Sequence, residues 1–402
     1  MPRLPPAHTD CLRFRTPWRD FWTRAATPLA IGLASRAGLV LVAYLSLALM
    51  PLNPDPSIGG PGNQWRSFPQ NLFLDGWARW DSGWYNGVAQ HGYSYIETPE
   101  AIQQNIVFFP LYPLAMRLFG GLIGSTYLAG ILISNVAFLI ALLLLYFLVL
   151  QRFDESVAFR TVVLLSVYPF AFYYGAVYSE SVFFMFVVGA FFFADKECWW
   201  GAALCGMLAG ATRLPGLVMF PVLIIVYLEK IHFSWRRVRP DVLWILLSVV
   251  GPLLYFAYLY VRFEDPWLYF EVERAPGWWL SEQGANVLTS TWQQFWSVPN
   301  LLTGNYPVSY VWNLLTGILF CLTVFSVFRR QGWGAGLFAV TMLVVGATQW
   351  INIGRYAMPV FPVFIAWAQW LSGERRFVGI VIVSTLLLAM WTIAFTHWYW
   401  VT

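Results

Sequence analysis

The sequence predicts an all-α polytopic membrane protein with about eleven membrane-spanning helices. Hydrophobic residues make up 59% and charged residues only 11% of the 402 residues, whereas an ordinary soluble domain carries roughly 25% charge. Aromatic residues reach 19% and suit the belts in which amphipathic rings lie at headgroup depth. The lipid bilayer is therefore an expected partner, and the chain is predicted to be an integral membrane protein.

Apolar segments long enough to cross about 30 Å of hydrocarbon recur along the chain. They lie at 28–50, 126–150, 156–176, 179–195, 240–261, 308–328, 334–351, 355–371 and 377–396. The stretch 199–229 is too long for one span and contains Arg213, Pro215 and Gly216. It is therefore predicted to form two short helices that meet at a break.

The distribution of basic residues predicts a cytoplasmic N-terminus, because cytoplasmic loops are enriched in Lys and Arg. Every second loop is then basic, at Arg152, Lys196, Lys230 to Arg239, Arg329 with Arg330, and Arg375 with Arg376. This alternation requires that the apolar segment 106–124, which contains Pro110, Pro113 and Arg117, does not cross. We expect that segment to lie along the membrane or to dip in and return. Basic residues in scattered loops also argue against a nucleic-acid partner.

The same pattern divides the chain. It predicts a cytoplasmic tail at 1–27 and a core transmembrane catalytic module at 28–261 that includes an outer loop with interfacial helices at 51–125. A second outer loop follows at 262–307, and C-terminal transmembrane helices at 308–402. Both outer loops are rich in Trp, Tyr, Pro and Gly, which suits interfacial helices over a membrane cavity, so function is expected there.

The first outer loop carries the most informative motif, Trp77-Ala-Arg-Trp-Asp-Ser-Gly-Trp-Tyr85, followed by His91-Gly-Tyr93 and Phe108-Phe-Pro-Leu-Tyr-Pro113. Tyr178-Ser-Glu-Ser181, Ala211-Thr-Arg-Leu-Pro-Gly216 and Arg355-Tyr356 come later. In this order the motifs resemble those of the PIG-V family of membrane mannosyltransferases, over roughly residues 28–371. Leu214 and Pro215 replace the Ser-Asn that is usual in that family.

The resemblance implies a GT-C type fold and an enzyme, a hexosyltransferase that uses a polyprenyl- or dolichyl-phosphate sugar, most simply mannose. The acceptor would be a hydroxyl of a glycan, lipid or protein on the extracytoplasmic side. The preference for Arg over Lys and the lack of any Asn-x-Ser/Thr sequon favour a bacterial inner membrane. A transporter or flippase of a lipid-linked sugar is the main alternative, and a non-catalytic scaffold subunit is a third.

Asp81 is the predicted general base, because one carboxylate can accept the proton of the attacking hydroxyl while phosphate leaves as an anion. Its alternative role is to cap an interfacial helix. Glu180, at the outer end of a hairpin between two spans, is predicted to orient a partner of Asp81 or to bind sugar hydroxyls. Its alternative is an ordinary solvated residue of the turn. A single base fits transfer with inversion, since retention would require a separate nucleophile.

Arg213, Arg355 and Arg79 are the predicted donor-binding residues, because a planar guanidinium suits bidentate contact with phosphate. The alternative is that these arginines extend to lipid headgroups.

Aromatic and polar residues near Asp81 are expected to line the substrate site: Trp80, Trp84, Tyr85, His91, Tyr112 and Tyr178. A lone histidine such as His91 is also compatible with a structural hydrogen bond. No paired His/Cys spacing accompanies the acidic residues of the loop, and a phosphate leaving group does not require a metal ion. The site is therefore predicted to work without a metal or another cofactor.

Overall fold

The computed structural model describes residues 18–54, 66–98, 102–275, 303, 308–348, 353–399 and 401. Every regular element in these residues is a helix, so the all-α prediction is confirmed. The predicted N-terminal tail falls mostly outside the described residues. Of the second outer loop, only residues 262–275 and residue 303 are described. The proposed division into regions stays a prediction.

The described residues contain sixteen α-helices. They are α1 (Trp18–Leu49), α2 (Leu72–Asp75), α3 (Ser82–His91), α4 (Leu111–Ile123), α5 (Thr126–Arg152), α6 (Glu155–Ser166), α7 (Glu180–Asp195), α8 (Trp199–Thr212), α9 (Met219–Lys230), α10 (Val250–Phe263), α11 (Leu268–Val272), α12 (Val308–Gln331), α13 (Trp333–Thr348), α14 (Ile353–Ala357), α15 (Phe361–Trp370) and α16 (Glu374–Thr396). Shorter 3₁₀ helices lie at Asn105–Val107, Ala171–Tyr174, Leu214–Val218, Trp235–Arg237 and Pro240–Val249.

Five helical stretches of the described residues are long and apolar enough to cross a membrane. They are Asp20–Leu49, Thr126–Arg152, Pro240–Phe263, Val311–Gln331 and Glu374–Thr396. Several of the other predicted spans are helices of 10 to 16 residues. At about 1.5 Å per residue these are shorter than the hydrocarbon core, and the count of eleven spans stays a prediction.

Helix α4 covers most of the segment that was predicted not to cross. It has 13 residues, so it is about 20 Å long and too short to span the bilayer alone. It ends at Gly124, whose φ of 81° is left-handed and suits glycine. Leu118 and Leu122 are exposed on it, while Met116 is buried. One side of this helix is therefore free for lipid.

Two predicted spans are interrupted, and in both a proline explains the interruption. The span at 156–176 is wrong as a continuous helix, because α6 ends at Ser166, shortly before Pro169. The span at 355–371 divides into α14 and α15 around Pro359. Proline lacks a backbone N–H and disfavours helical backbone in the residue before it.

The connection between α6 and α7, residues 167–179, is buried almost throughout although it is not α-helical. Buried carbonyl groups need partners, and side chains of three helices supply them. Arg36 of α1 donates to the Ala171 carbonyl oxygen (3.0 Å), and Ser181 of α7 donates to that of Tyr174 (2.7 Å). From α5, Asn135 donates to the carbonyl oxygen of Gly175 (3.3 Å) and Ser134 to that of Tyr178 (3.0 Å). We call residues 167–179 the linking segment.

The predicted break near Arg213 is confirmed, since α8 ends at Thr212 and α9 begins at Met219. Small residues let α8 approach α10 closely at this point. A Cβ atom added at Gly251 would lie 2.1 Å from the Met207 carbonyl oxygen. This close packing fixes the end of α8, where Arg213 leaves the helix with an extended backbone.

The start of the second outer loop packs on the first one. Tyr255 of α10 donates a hydrogen bond to the Ile106 carbonyl oxygen. Around this contact lies a small core made of Ile106, Phe109, Tyr255, Leu259, Leu268, Tyr269 and Val272. The two regions predicted to carry function are therefore in direct contact.

Helix α7 ends at Asp195 in a cluster that we call the Asp195 clamp. Asp195 Oδ1 accepts hydrogen bonds from Arg152 Nη2 at 2.7 Å and from Lys230 Nζ at 3.3 Å. The clamp joins the ends of α5, α7 and α9. The Arg152 side chain is 32% exposed and that of Lys230 29%, so water screens this cluster.

Candidate active site

Four of the charged residues predicted for the site form one ion-pair chain, Asp81–Arg355–Glu180–Arg213. Arg355 Nη1 lies 3.0 Å from Asp81 Oδ2, and Arg355 Nε lies 2.5 Å from Glu180 Oε1. Arg213 Nη1 donates to the same Glu180 oxygen. Residues distant in sequence thus converge at one place, and Arg355 contacts both Glu180 and Asp81. The orienting role of Glu180 stays a prediction.

The two carboxylates of this ion-pair chain differ in their exposure to solvent. The Asp81 side chain is 25% exposed, whereas that of Glu180 is 6% exposed. The second Glu180 oxygen, Oε2, is buried and has no hydrogen-bond partner among the described residues. Glu180 therefore lies behind the arginines, and Asp81 is the carboxylate that an incoming molecule can reach.

The backbone around Asp81 directs its side chain toward Arg355. Asp81 occupies the N-cap position of α3 but makes no side-chain capping bond, so the capping alternative is not what the structure shows. Trp80, the preceding residue, has φ of 53°. A left-handed backbone is costly for a bulky residue and is concentrated at functional sites. The Asp81 carboxylate is thereby left available for charge contacts.

Aromatic faces hold both arginines. The Arg355 guanidinium lies 4.8 Å from the ring centres of both Tyr173 and Tyr178, and the Arg213 guanidinium lies 5.3 Å from that of Tyr356. Cation–π contacts of this kind stabilise a desolvated guanidinium while leaving its N–H groups free for in-plane hydrogen bonds. The arrangement suits two arginines that present donors to an anion.

Tyr85 lies beside the ion-pair chain and shares a 2.7 Å hydrogen bond with Ser179. Burial, followed by the nearby Glu180 carboxylate, raises the pKa of its hydroxyl. The hydroxyl therefore stays protonated at neutral pH and is suited to hydrogen bonding rather than to proton abstraction.

Arg79 is not part of this arrangement, and its predicted contact with the donor is corrected. Its side chain is fully buried and lies 2.6 Å from the Asp75 carboxylate. It also donates to the carbonyl oxygens of Asp75 (2.6 Å), Ala78 (3.2 Å) and Thr396 (3.0 Å). These bonds use all three guanidinium nitrogens, so Arg79 fastens the first outer loop to the end of α16.

The other residues predicted to line the substrate site divide by position. Trp80 and Trp84 are partly buried; the ring of Trp80 contacts Trp398 edge to face, and that of Trp84 stacks on Phe108. His91 is exposed at the far end of α3, about 15 Å along the helix from Asp81. Its position argues against direct contact with the reacting atoms.

Two tyrosines of the same prediction are enclosed in the protein. Tyr112 is fully buried, and its hydroxyl contacts the Gly130 carbonyl oxygen at 3.0 Å and Ser134 at 2.9 Å. Tyr178 is 1% exposed. Neither side chain can line an open cavity, and the expectation that they touch substrate is corrected.

The sequence interpretation missed several neighbours of the arginines. Tyr173 faces Arg355 and Tyr356 faces Arg213. Glu273, 5% exposed, hydrogen-bonds Tyr269 next to Tyr356 and Arg213. Tyr356 follows directly on Arg355 and could have been noticed. Glu273 lies in a loop without a motif and gave no signal.

Among the residues that the structure describes, no group of three or more His, Cys, Asp or Glu side chains could hold a metal ion. Function without a metal or another cofactor stays a prediction.

Several solved structures are similar to this chain. The crystal structure of ArnT from Cupriavidus metallidurans bound to undecaprenyl phosphate has a TM-score of 0.50 at 14% identity, covering 87% of this chain and 62% of ArnT. The Archaeoglobus fulgidus oligosaccharyltransferase in complex with zinc and sulfate has a TM-score of 0.45 at 12% identity, covering 90% of this chain and 53% of that protein. The chain thus spans less than two thirds of the length of either.

ArnT supports the fold alone at this identity, and this agrees with the predicted GT-C architecture. No curated protein sequence matches the chain significantly. A family model described as mannosyltransferase (PIG-V) matches residues 50–269, more than half of the chain, and the match includes Asp81, Glu180 and Arg213. The chain therefore belongs to the PIG-V family of mannosyltransferases.

Proposed function

We propose that this protein transfers a mannosyl group from a polyprenyl-phosphate donor to an acceptor hydroxyl, with inversion at the sugar carbon. One observation carries the proposal. A partly exposed carboxylate, Asp81, shares a site with two arginines, Arg213 and Arg355, and a buried carboxylate, Glu180, anchors both arginines from behind. Family membership supports the reaction class and the sugar. Undecaprenyl phosphate bound to ArnT supports the carrier.

The reaction needs one proton acceptor and one site for a growing negative charge. The acceptor oxygen attacks the sugar carbon, the bond from that carbon to the phosphate oxygen breaks, and the phosphate leaves with the electron pair. Asp81 takes the hydroxyl proton. Because the phosphate becomes more negative as it leaves, guanidinium donors stabilise the transition state more than the bound donor.

Arg355 contacts Asp81 in the free protein, and this contact bears on the order of events. A phosphate that binds Arg355 competes with Asp81 for the same guanidinium. Donor binding would therefore release the carboxylate at the moment when a base is needed. Without the donor, Asp81 remains ion-paired and less available to activate water or acceptor.

Direct assay of transfer tests the function. Purified protein is incubated with radiolabelled polyprenyl-phosphate mannose and a membrane lipid extract, and labelled product is separated from donor. We expect a mannosylated product whose anomeric configuration is opposite to that of the donor. If the protein in lipid vesicles moves the donor from one leaflet to the other and forms no product, the flippase alternative is favoured.

The proposed sidedness places the site outside the cytoplasm, as the alternating basic loops suggest. Gln90 and Arg237 are both exposed, and the distribution of basic loops predicts that they lie on opposite sides of the membrane. A cysteine at position 90 should react with an impermeant thiol reagent added outside intact cells, and a cysteine at position 237 should not. The native cysteines are replaced first as a control, and equal labelling at both positions would contradict this topology.

A further inference from the structure

Tyr178 joins the carboxylate and the arginine of the site through two different parts of one side chain. Its hydroxyl oxygen accepts a hydrogen bond from the Asp81 backbone N–H at 3.1 Å. Its ring face lies 4.8 Å from the Arg355 guanidinium. The Asp81 side chain itself contacts Arg355. The three residues therefore form a closed triangle of contacts.

Tyr178 is held firmly in this position. Its carbonyl oxygen accepts a hydrogen bond from Ser134 at 3.0 Å. Edge contacts with the rings of Tyr85, Tyr173 and Phe395 enclose its own ring at 5.0 to 6.2 Å between centroids. A side chain that is 1% exposed and packed on several sides cannot reach a substrate, so any influence on catalysis passes through its neighbours.

We propose that Tyr178 is a positioning residue that keeps Asp81 aligned once the donor phosphate has drawn Arg355 away. This inference rests on the proposed function. With Arg355 engaged by phosphate, the Asp81 carboxylate loses its protein partner, and its direction depends on the backbone at the start of α3. Trp80 is left-handed there, so the conformation needs support. The hydroxyl of Tyr178 supplies it.

The proposal predicts a separation of kcat from KM between two variants. Tyr178→Phe removes the hydroxyl and keeps the ring against Arg355. The loss of one hydrogen bond to the partly buried Asp81 N–H should lower kcat about tenfold, with an unchanged KM for the lipid donor. Tyr178→Leu also removes the ring face, so that KM should rise as well. Unchanged kcat in Tyr178→Phe would overturn the proposal.

Tyr146→Phe is a matched control for the loss of a buried tyrosine hydroxyl. Tyr146 is fully buried and donates to Glu155 at 3.2 Å, in contact with neither Asp81 nor Arg355. This variant should keep kcat and KM. A fall in kcat equal to that of Tyr178→Phe would indicate a general structural effect and would contradict the positioning role.

Hydrogen exchange separates this proposal from the proposed function. The Asp81 amide should exchange faster in Tyr178→Phe than in wild type, while Tyr146→Phe leaves it unchanged and binding of undecaprenyl phosphate stays as in wild type. If wild-type protein transfers no mannose, the proposed function fails. The role of Tyr178 can then still be tested by the exchange rate of the Asp81 amide and by undecaprenyl phosphate binding. An Asp81 exchange rate in Tyr178→Phe equal to that of wild type would reject the positioning role.

Discussion

The two ends of helix α7 carry the same arrangement of ion pairs, but the two arrangements differ in solvent exposure. At each end one carboxylate oxygen accepts hydrogen bonds from two cations: Glu180 from Arg213 and Arg355 at the start, Asp195 from Arg152 and Lys230 at the end. The Glu180 side chain is 6% exposed and its arginines 16% and 12%, whereas the cations at Asp195 are about twice as exposed or more. The contacts are alike, but their desolvation is not.

This difference shows why ion pairs alone do not identify an active site. A screened pair contributes roughly 0 to 1 kcal/mol to stability. A buried pair costs desolvation, and its value depends on every charge being matched. Among the ion pairs of the described residues, the pair at the Glu180 end is joined by a second acidic group, Asp81, whose side chain is 25% exposed. We expect substitutions at the buried Glu180 end to have larger effects than substitutions at the exposed Asp195 end.

The largest effect is expected at Asp81, for which the ion pairs of the described residues show no counterpart at the Asp195 end. Asp81→Asn keeps the side-chain shape but cannot accept the proton, so the transfer rate should fall by about 10² to 10⁴. Donor binding should be kept or strengthened, because the phosphate no longer competes with a carboxylate for Arg355. Rate and undecaprenyl phosphate affinity are measured separately. Near wild-type turnover would exclude Asp81 as the base.

Glu180→Gln should give the next largest effect, on folding. The change leaves Arg213 and Arg355 without their shared anion in a poorly hydrated site, and breaking a buried pair of this kind costs about 3 to 5 kcal/mol. Thermal unfolding in detergent measures it, with Asp195→Asn as the matched variant from the other end of the helix. Equal destabilisation by both variants would contradict the difference in desolvation between the two ends of α7.

Arg213→Lys tests donor binding with the charge retained. Lysine lacks the planar fork of arginine, and a lost charge-assisted hydrogen bond is worth roughly 1.5 to 3 kcal/mol, which corresponds to about ten- to hundredfold weaker donor binding. Titration with undecaprenyl phosphate measures the change. Arg152→Lys, at the Asp195 clamp, serves as the control and should bind the donor like wild type. Unchanged affinity in Arg213→Lys would support headgroup contact instead.

The smallest effect is expected for Asp195→Asn. Its partners are about 30% exposed, so the loss should stay below about 1 kcal/mol, with transfer activity kept. Added salt screens these exposed ion pairs in the wild-type protein, so it should reduce the difference in the free energy of unfolding between Asp195→Asn and wild type. Unfolding curves at low and high salt show this. A large loss of activity would mean that the clamp also controls the distant site.

Four charged residues that short motifs nominated for the site also lie together in the structure: Asp81, Glu180, Arg213 and Arg355. Arg79 was misjudged because its buried partners, Asp75 and the Thr396 carbonyl oxygen, could not be inferred from the motif. Contacts between residues as distant as Asp81 and Arg355 depend on the fold and leave no trace in one sequence.

The fold was predictable to the extent that apolar length determines it. Long helices such as α5 agree with their predicted spans, and the break at Arg213 follows from Pro215 and Gly216. The linking segment was mistaken for part of a span because its residues are as apolar as those of a helix. Its irregular backbone depends on side-chain donors from other helices, which periodicity does not reveal.

The linking segment has a consequence for how the protein is made. Domains are synthesised from the N-terminus onward, and three of the side chains that satisfy its carbonyl groups, Arg36, Ser134 and Asn135, precede it in the chain. The ribosome has therefore already delivered these partners when the segment enters the membrane. Arg355 arrives much later. A nascent chain that stops before Arg355 leaves Asp81 without its arginine, and C-terminal completion becomes the step that makes the protein competent.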